Sequence, residues 1–414
     1  MKGKIKLNEY KNSSIRISGS KNSSLPIIAA SILCNEPVTI NNVPNITDIV
    51  SIISILKDMN YNITFKNNTV KVYPTDIYIN HFNNKTISKL RGSYYLIGAL
   101  IGKYKHSDFS FLYPGGCKFI KRPINYHINA FRKIGLTVIN KKNKILVKGT
   151  KHASIHDLEF PSVGTTINII LSSVKTEGIT IINNASIEPE VIDFINFLNS
   201  MQANITITNR TIKIIGTPYL HSTTYSVMCD RIEATTFLCL GALHNGIKIT
   251  NVNSTVLKDV SLFFKSIGYK IKENKNSIIL ATTKNIKPFA ITLEPYPGLS
   301  TDLGPIFSIL ASKSYGKSYI TDKVYIKRHS HIKQLRKMNI DISNNLNTII
   351  IKGDNRVIKN TTVKAYDLRC AACLLLACSL SHNLSKIKNI EYLLRGYEDI
   401  TSKLDKLGID LVIN

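Results

Sequence analysis

The sequence predicts an α/β protein of two similar lobes, each made of three repeats of a βαβαββ-type unit packed around buried helices, an inside-out α/β barrel. Three observations predict it. A strand-like segment recurs roughly every 70 residues along the chain. An apolar helical stretch precedes each copy, and an amphipathic stretch with a β-hairpin follows it. The length of 414 residues calls for two or three domains at about 100–200 residues each.

The recurring strand reads Val38-Thr39-Ile40, Phe109-Ser110-Phe111, Ile179-Thr180-Ile181, Ile247-Lys248-Ile249, Lys317-Ser318-Tyr319 and Ser385-Lys386-Ile387. The amphipathic stretches end at Met59-Asn60, Ile134-Gly135, Ser200-Met201, Ile267-Gly268, Lys337-Met338 and Leu407-Gly408. Asn/Lys turns then split a β-rich run into a hairpin, as at 204–208 and 211–215. The final copy has one strand after its helix, so its partner is expected from residues 1–17. The helices upstream of each strand run from about Ser23, Gly92, Thr165, Glu233, Leu303 and Arg369. They are apolar nearly all round over about four turns, which places them at the centre of each lobe. The expected boundaries are 20–226 for the first lobe, and 1–19 with 227–414 for the second.

Composition narrows the function classes. Fifty-four basic against 27 acidic residues give a net charge of +27, which raises nucleic-acid binding. The lysines, however, are spread singly along polar faces, and no arginine-rich arm stands out. Abundant Ile, Asn and Lys with no Trp point to a bias toward AT-rich codons, so solvated lysines are favoured and no nucleic-acid partner is expected. No apolar run approaches the ~20 residues of a membrane span. Residues 1–6 carry no signal-peptide pattern, so the expectation is a cytoplasmic protein without a membrane partner, and a monomer is favoured. Seven cysteines, an odd number in mostly apolar surroundings, argue against a disulfide framework. Cys370-x-x-Cys373 lies within a buried-helix pattern and no second pair matches it, so no metal is expected. His329-x-His331 is expected on a polar helix.

The residues that lead into the six apolar helices are polar and often charged. Capping accounts for Thr301, Asp230 and Asp367. It does not account for Lys21, Arg91, Arg231 and Arg369, because a cation opposes the positive end of a helix dipole. Cations at four helix starts make sense if anions bind there.

Several motifs then carry a resemblance. They are Ser18-Gly19-Ser20-Lys21-Asn22, Pro114-Gly115-Gly116-Cys117 followed by Arg122-Pro123, Ser162-Val163-Gly164, and Ile187-Glu188-Pro189-Glu190. Further along come Asp230-Arg231-Ile232-Glu233-Ala234, Tyr296-Pro297-Gly298 with Thr301-Asp302, Asp367-Leu368-Arg369, and Arg395-Gly396-Tyr397-Glu398. In this order and spacing the chain resembles the enolpyruvyl transferases over essentially its whole length. The likeness is to the branch that acts on UDP-N-acetylglucosamine at the start of peptidoglycan synthesis.

The resemblance implies transfer of the enolpyruvyl group of phosphoenolpyruvate to the 3'-hydroxyl of UDP-N-acetylglucosamine, by addition and then elimination of phosphate. It makes Lys21, with Arg122 and Arg395, the holders of phosphoenolpyruvate, and Asn22 a further substrate-binding residue. Cys117, in a glycine-rich loop beside Lys118, Lys121 and Arg122, becomes the proton donor to the methylene carbon and the target of fosfomycin. Asp302 becomes the base for the hydroxyl, or the group that positions it. Arg91, Pro123, Ile124, Asn125, Ser162, Val163, Gly164 and Val324 resemble the sugar-nucleotide pocket, and Arg328, Asp367, Leu368 and Arg369 the part that closes over phosphoenolpyruvate. No cofactor is implied. Rival readings are a shikimate-3-phosphate enolpyruvyl transferase, or a non-catalytic binder of UDP-sugars or nucleic acid. Four residues depart from the family pattern: Asn125 stands for Asp, Ile326-Lys327 for Glu-Asn, and Leu394 for Asp.

Overall fold

The structure is a computed structural model that describes residues 1–75, 81–82, 86–115, 124–283, 285–354, 356–381 and 383–414, with backbone only at 81–82. The chain divides into two compact units: a continuous one, Gly19–Met228, and a composite one made of Met1–Ser18 with Cys229–Asn414.

The continuous unit holds three four-stranded sheets. In one, Thr223–Ser226 runs parallel to Val38–Asn41, which pairs antiparallel with Thr69–Val72, and that in turn with Ile63–Lys66. The second has the same order with His81–Phe82, His106–Leu112, Lys144–Thr150 and Thr137–Asn140. The third has Ile155–Asp157, Ile179–Asn183, Thr211–Ile215 and Asn204–Thr208. Strands such as Lys144–Thr150 and Thr211–Ile215 alternate buried and more exposed side chains, as a sheet with one wet face requires.

Inside lie the helices Lys21–Ser31, Tyr94–Lys103 and Val163–Ser173. Nearly every residue of these helices is buried, because apolar side chains occupy all sides rather than one stripe. Tyr94–Lys103 and Val163–Ser173 approach closely at two glycines. A Cβ on Gly98 would stand 2.3 Å from Asn168 Oδ1, and one on Gly102 would stand 2.1 Å from the Leu171 carbonyl oxygen.

The composite unit also holds three four-stranded sheets. One runs Ser14–Arg16, Ile247–Thr250, Ser277–Ala281, Lys270–Asn274, and another Ala290–Leu293, Gly316–Asp322, Thr348–Gly353, Asp341–Asn345. In the third, Lys2–Leu7 lies between Ser385–Lys388 and Ile409–Ile413 and pairs antiparallel with both, while Thr362–Lys364 forms the far edge. Its buried helices are Arg231–Leu243, Gly304–Ser312 and Leu368–Ser379. Cys370, Cys373 and Cys378 are buried free thiols in the last of these.

Two expectations need correction. The six buried helices span 9 to 13 residues, nearer three turns than four. In two of them the first turn is a separate 3-10 segment, Arg91–Ser93 or Thr301–Leu303. His329 and His331 do not lie on a polar helix. His331 precedes the short helix Ile332–Lys337 without capping it through its side chain, is fully buried, and its Nε2 lies 3.3 Å from Ser308 Oγ. Among the described residues, no helix is long and apolar enough to cross a membrane.

Candidate functional site

In the continuous unit, Lys21 is the first residue of its helix, whose cap Ser20 accepts a hydrogen bond from the Ser23 N–H. The Lys21 ammonium stands 3.6 Å from Asp48 Oδ2, and both side chains are largely buried. A buried carboxylate beside the helix start lets a cation sit where the dipole alone would oppose it. Asn22 follows, half-buried.

Arg91 opens the 3-10 turn that leads into Tyr94–Lys103, with its guanidinium carbon 4.5 Å from the centre of the Tyr94 ring. Tyr94 stacks on His127 at 5.0 Å and 8°. Ile124 and Asn125 begin the helix that carries His127. Ser162 caps the helix that starts with Val163 and Gly164, and accepts from the Thr165 N–H and hydroxyl. Cys117, Arg122 and Pro123 lie outside the described residues.

In the composite unit, Asp302 is the centre of a charged cluster. Its Oδ1 accepts from Arg328 Nη1 and its Oδ2 from Arg369 Nη2, each at 2.7 Å. Arg328 Nη1 also donates to the Thr301 carbonyl at 2.9 Å, and its guanidinium lies 4.9 Å from the centre of the Tyr325 ring. Burial would raise the Asp302 carboxyl, but the charges of Arg369 and Arg328 outweigh it and hold the group well below the usual carboxylate range. The Asp302 side chain is 22% exposed, against 7% for each arginine.

Asp367 caps its helix as expected, accepting from the N–H groups of Arg369 and Cys370, and its second oxygen accepts from Ser330. Asp230 likewise caps through the Ile232 and Glu233 N–H groups. Thr301 does not cap, because its hydroxyl donates to Asp322 Oδ2 and Ser300 caps the turn instead. Val324 is fixed by its N–H, which donates to Asp322 Oδ1 at 2.8 Å. Leu368 packs against Gly396, where a Cβ would stand 2.6 Å from its Cδ2. Arg395 ends the 3-10 segment Ile390–Arg395 and is half-buried.

The sequence matches the EPSP synthase (3-phosphoshikimate 1-carboxyvinyltransferase) family over residues 6–404. The chain belongs to that family. Among curated relatives of this EPSP synthase family member, UDP-N-acetylglucosamine 1-carboxyvinyltransferase 2 of Bacillus subtilis is 37% identical over 96% of the chain and 93% of the relative. UDP-N-acetylglucosamine 1-carboxyvinyltransferase of Halothermothrix orenii is 35% identical over 96% and 95%. The crystal structure of the enolpyruvyl transferase NikO from Streptomyces tendae aligns with a TM-score of 0.89 at 21% identity, covering 99% and 98%. EPSP synthase from Acinetobacter baumannii aligns at 0.75 and 17% over the whole of both chains. These two structures establish a shared fold.

Sequence reasoning passed over several partners in this EPSP synthase family member. Asp48 beside Lys21 and Asp322 beneath Thr301 are single acids in ordinary polar contexts, with no motif to mark them. Lys403, nearly buried, bonds Glu233 Oε1 and the Ser18 hydroxyl, each at 2.6 Å, while Glu233 Oε2 accepts from the Ser18 N–H. Glu233 stands in one of the family motifs, and an acid buried at a helix start calls for a cation partner. The departure at Ile326-Lys327 leaves Arg328 well oriented, because Asp302, Thr301 and Tyr325 hold it.

Proposed function

We propose that this protein transfers the 1-carboxyvinyl (enolpyruvyl) group of phosphoenolpyruvate to the 3'-hydroxyl of UDP-N-acetylglucosamine and releases phosphate, in peptidoglycan precursor synthesis. One observation carries the reading: relatives 35–37% identical along 93–95% of their own length are named for that activity. The geometry supports it. Phosphoenolpyruvate bears a phosphate and a carboxylate, and the chain sets Lys21 on one unit, and Arg328 and Arg369 on the other, at or beside starts of buried helices. Charge-assisted bonds of that kind offset the desolvation of an anion.

In the scheme, the acceptor oxygen attacks C2 of phosphoenolpyruvate while the Cys117 thiol gives a proton to C3. The hydroxyl O–H bond breaks as the new C–O bond forms. C3 then returns one proton to the Cys117 thiolate, the C2–O bond breaks as the double bond returns, and the phosphate leaves with the proton that Asp302 had taken from the hydroxyl. Asp302 orients the hydroxyl and takes its proton transiently. A carboxylate held ionised by two guanidiniums has little affinity for a proton and is better suited to positioning than to storing one. Lys21, Arg122 and Arg395 carry the negative charge of the departing phosphate. Only proton transfers and fixed cations enter the scheme, so it calls for no cofactor.

On the same reading Cys117 is alkylated by the epoxide fosfomycin, the reaction belongs to the cytoplasm, and its product serves wall growth, cell shape, the cell cycle and division. We also read the six sheets as six copies of one βαβαββ unit, three per lobe, since all six contain a parallel edge pair and antiparallel partners.

Phosphate release from phosphoenolpyruvate tests the function. UDP-N-acetylglucosamine should support release and shikimate 3-phosphate should not. Lys21→Ala, Cys117→Ala and Asp302→Ala should each lower kcat/KM by about 100-fold or more. Release with shikimate 3-phosphate alone, or undiminished turnover in all three variants, would overturn the assignment.

A further inference from the structure

We propose that Tyr94 and His127 are positioning residues for the acceptor: their stacked rings lock Arg91, the helix start at Asn125 and the helix start at Ser162 into one nucleotide-binding face. The proposal rests on the acceptor reading above and adds two residues that contact no substrate themselves.

The geometry is a column of planar groups. The Arg91 guanidinium covers one face of the Tyr94 ring at 4.5 Å, and His127 lies nearly parallel to that ring at 5.0 Å and 8°. His127 Nδ1 lies 2.9 Å from Asn168 Nδ2, which ties the ring to the helix Val163–Ser173. Gly164, at the start of that helix, leaves the space the imidazole fills: a Cβ there would stand 3.0 Å from His127 Cε1. Tyr94 is 3% exposed, His127 7% and Asn168 0%, so the column is a packed core rather than a surface contact.

Three chain segments far apart in sequence therefore share one rigid centre. Each carries a residue expected at the sugar nucleotide: Arg91 on the first, Ile124 and Asn125 on the second, Ser162, Val163 and Gly164 on the third.

Simple packing does not require this chemistry. A phenyl ring would fill the space of the imidazole without burying its nitrogens, whose desolvation costs free energy. The imidazole adds a directional bond that sets the register of two helices. The ring face adds orientation to Arg91: a guanidinium stacked on an aromatic ring keeps its N–H edges in one plane, the arrangement that grips phosphate oxygens two at a time. Burial, with Arg91 nearby, lowers the His127 pKa to about 3, so the ring stays neutral and does not repel that cation.

Calorimetric titration with UDP and steady-state kinetics with both substrates test the proposal on the full chain. Tyr94→Leu removes the ring face and should weaken UDP binding and raise KM for UDP-N-acetylglucosamine by about 10-fold. KM for phosphoenolpyruvate and kcat should stay within about threefold. Tyr94→Phe keeps the face and should behave as the wild type. His127→Phe keeps the stack but loses the Asn168 bond, and should weaken UDP binding by about threefold to tenfold. Equal effects on both substrates, a Tyr94→Phe penalty as large as that of Tyr94→Leu, or unchanged UDP affinity in both Tyr94→Leu and His127→Phe would overturn the positioning role. If Tyr94→Leu fails to fold, unchanged UDP affinity in His127→Phe, or a loss of about 10-fold in Tyr94→Phe, is enough to overturn it. A wild type that binds UDP but releases no phosphate overturns the transfer reaction and leaves the positioning role standing, whereas a wild type that does not bind UDP overturns both.

Discussion

Asp302 keeps two nearly buried guanidiniums company, and this arrangement governs what its replacement does. Asp302→Asn takes the charge from the carboxylate that Arg328 and Arg369 both bond, leaving Asp230 as the nearby acid for Arg369, so unfolding free energy should fall by about 3–5 kcal/mol, read from the urea midpoint. The sign of the pH effect follows from a lowered carboxyl pKa. The stabilisation is fully present above the ordinary carboxylate range and is lost only as pH falls through the lower folded-state value. The gap between wild type and Asp302→Asn should therefore stay constant from about pH 5 to 8, and a gap that shrinks across that window would count against the double ion pair. Asp302 and Arg369 were legible in the sequence because each sits in a motif, and Arg328 through the family likeness alone. Their bonding to one another was not, since residues 302, 328 and 369 meet only through the fold. Asp322, which accepts from Thr301, Val324 and Tyr325, carried no signal because an acid at a strand end looks like any turn residue.

Helices that are apolar on every side could be read directly, because a surface helix would have to show a polar stripe. Their cations were legible too: Lys21 and Arg231 are first in their helices and Arg369 second. The short parallel strands at the sheet edges could not be located. Ile155–Asp157 and Thr362–Lys364 have three residues each, too few for an alternation to declare itself. Close packing between Tyr94–Lys103 and Val163–Ser173 was also invisible, since a glycine in an apolar run does not show what stands against it. Gly102→Ala should drive a methyl into the Leu171 carbonyl and lower stability by about 1–3 kcal/mol, measurable as a drop in Tm. An unchanged Tm would mean that the two helices part without cost.

At the scale of the molecule, net charge says less than buried charge. The +27 lies mostly on solvated lysines, whereas acid sensitivity should come from histidines inside the cores. His127, His156 and His331 are 7%, 2% and 0% exposed, and burial lowers their pKa values to about 3, 4 and 3. The unfolded chain takes up protons below about pH 6.5 while the native rings stay neutral, so stability falls as pH drops. Between pH 6.5 and 5 the loss is on the order of 2 kcal/mol per ring, and a melting curve at pH 5 should lie well below one at pH 7.5. Equal melting points would show that these rings titrate normally. The strand Lys2–Leu7 has its own bearing on how the protein comes into being, since its neighbours are Ser385–Lys388 and Ile409–Ile413. Gly19–Met228 has its whole core in hand once residue 228 has been translated, but the composite unit must hold a strand in reserve until roughly 400 more codons have been read beyond it. At about 5–20 residues per second that is a wait of roughly 20–80 s, during which the ribosome tethers an unfinished sheet beside a finished unit.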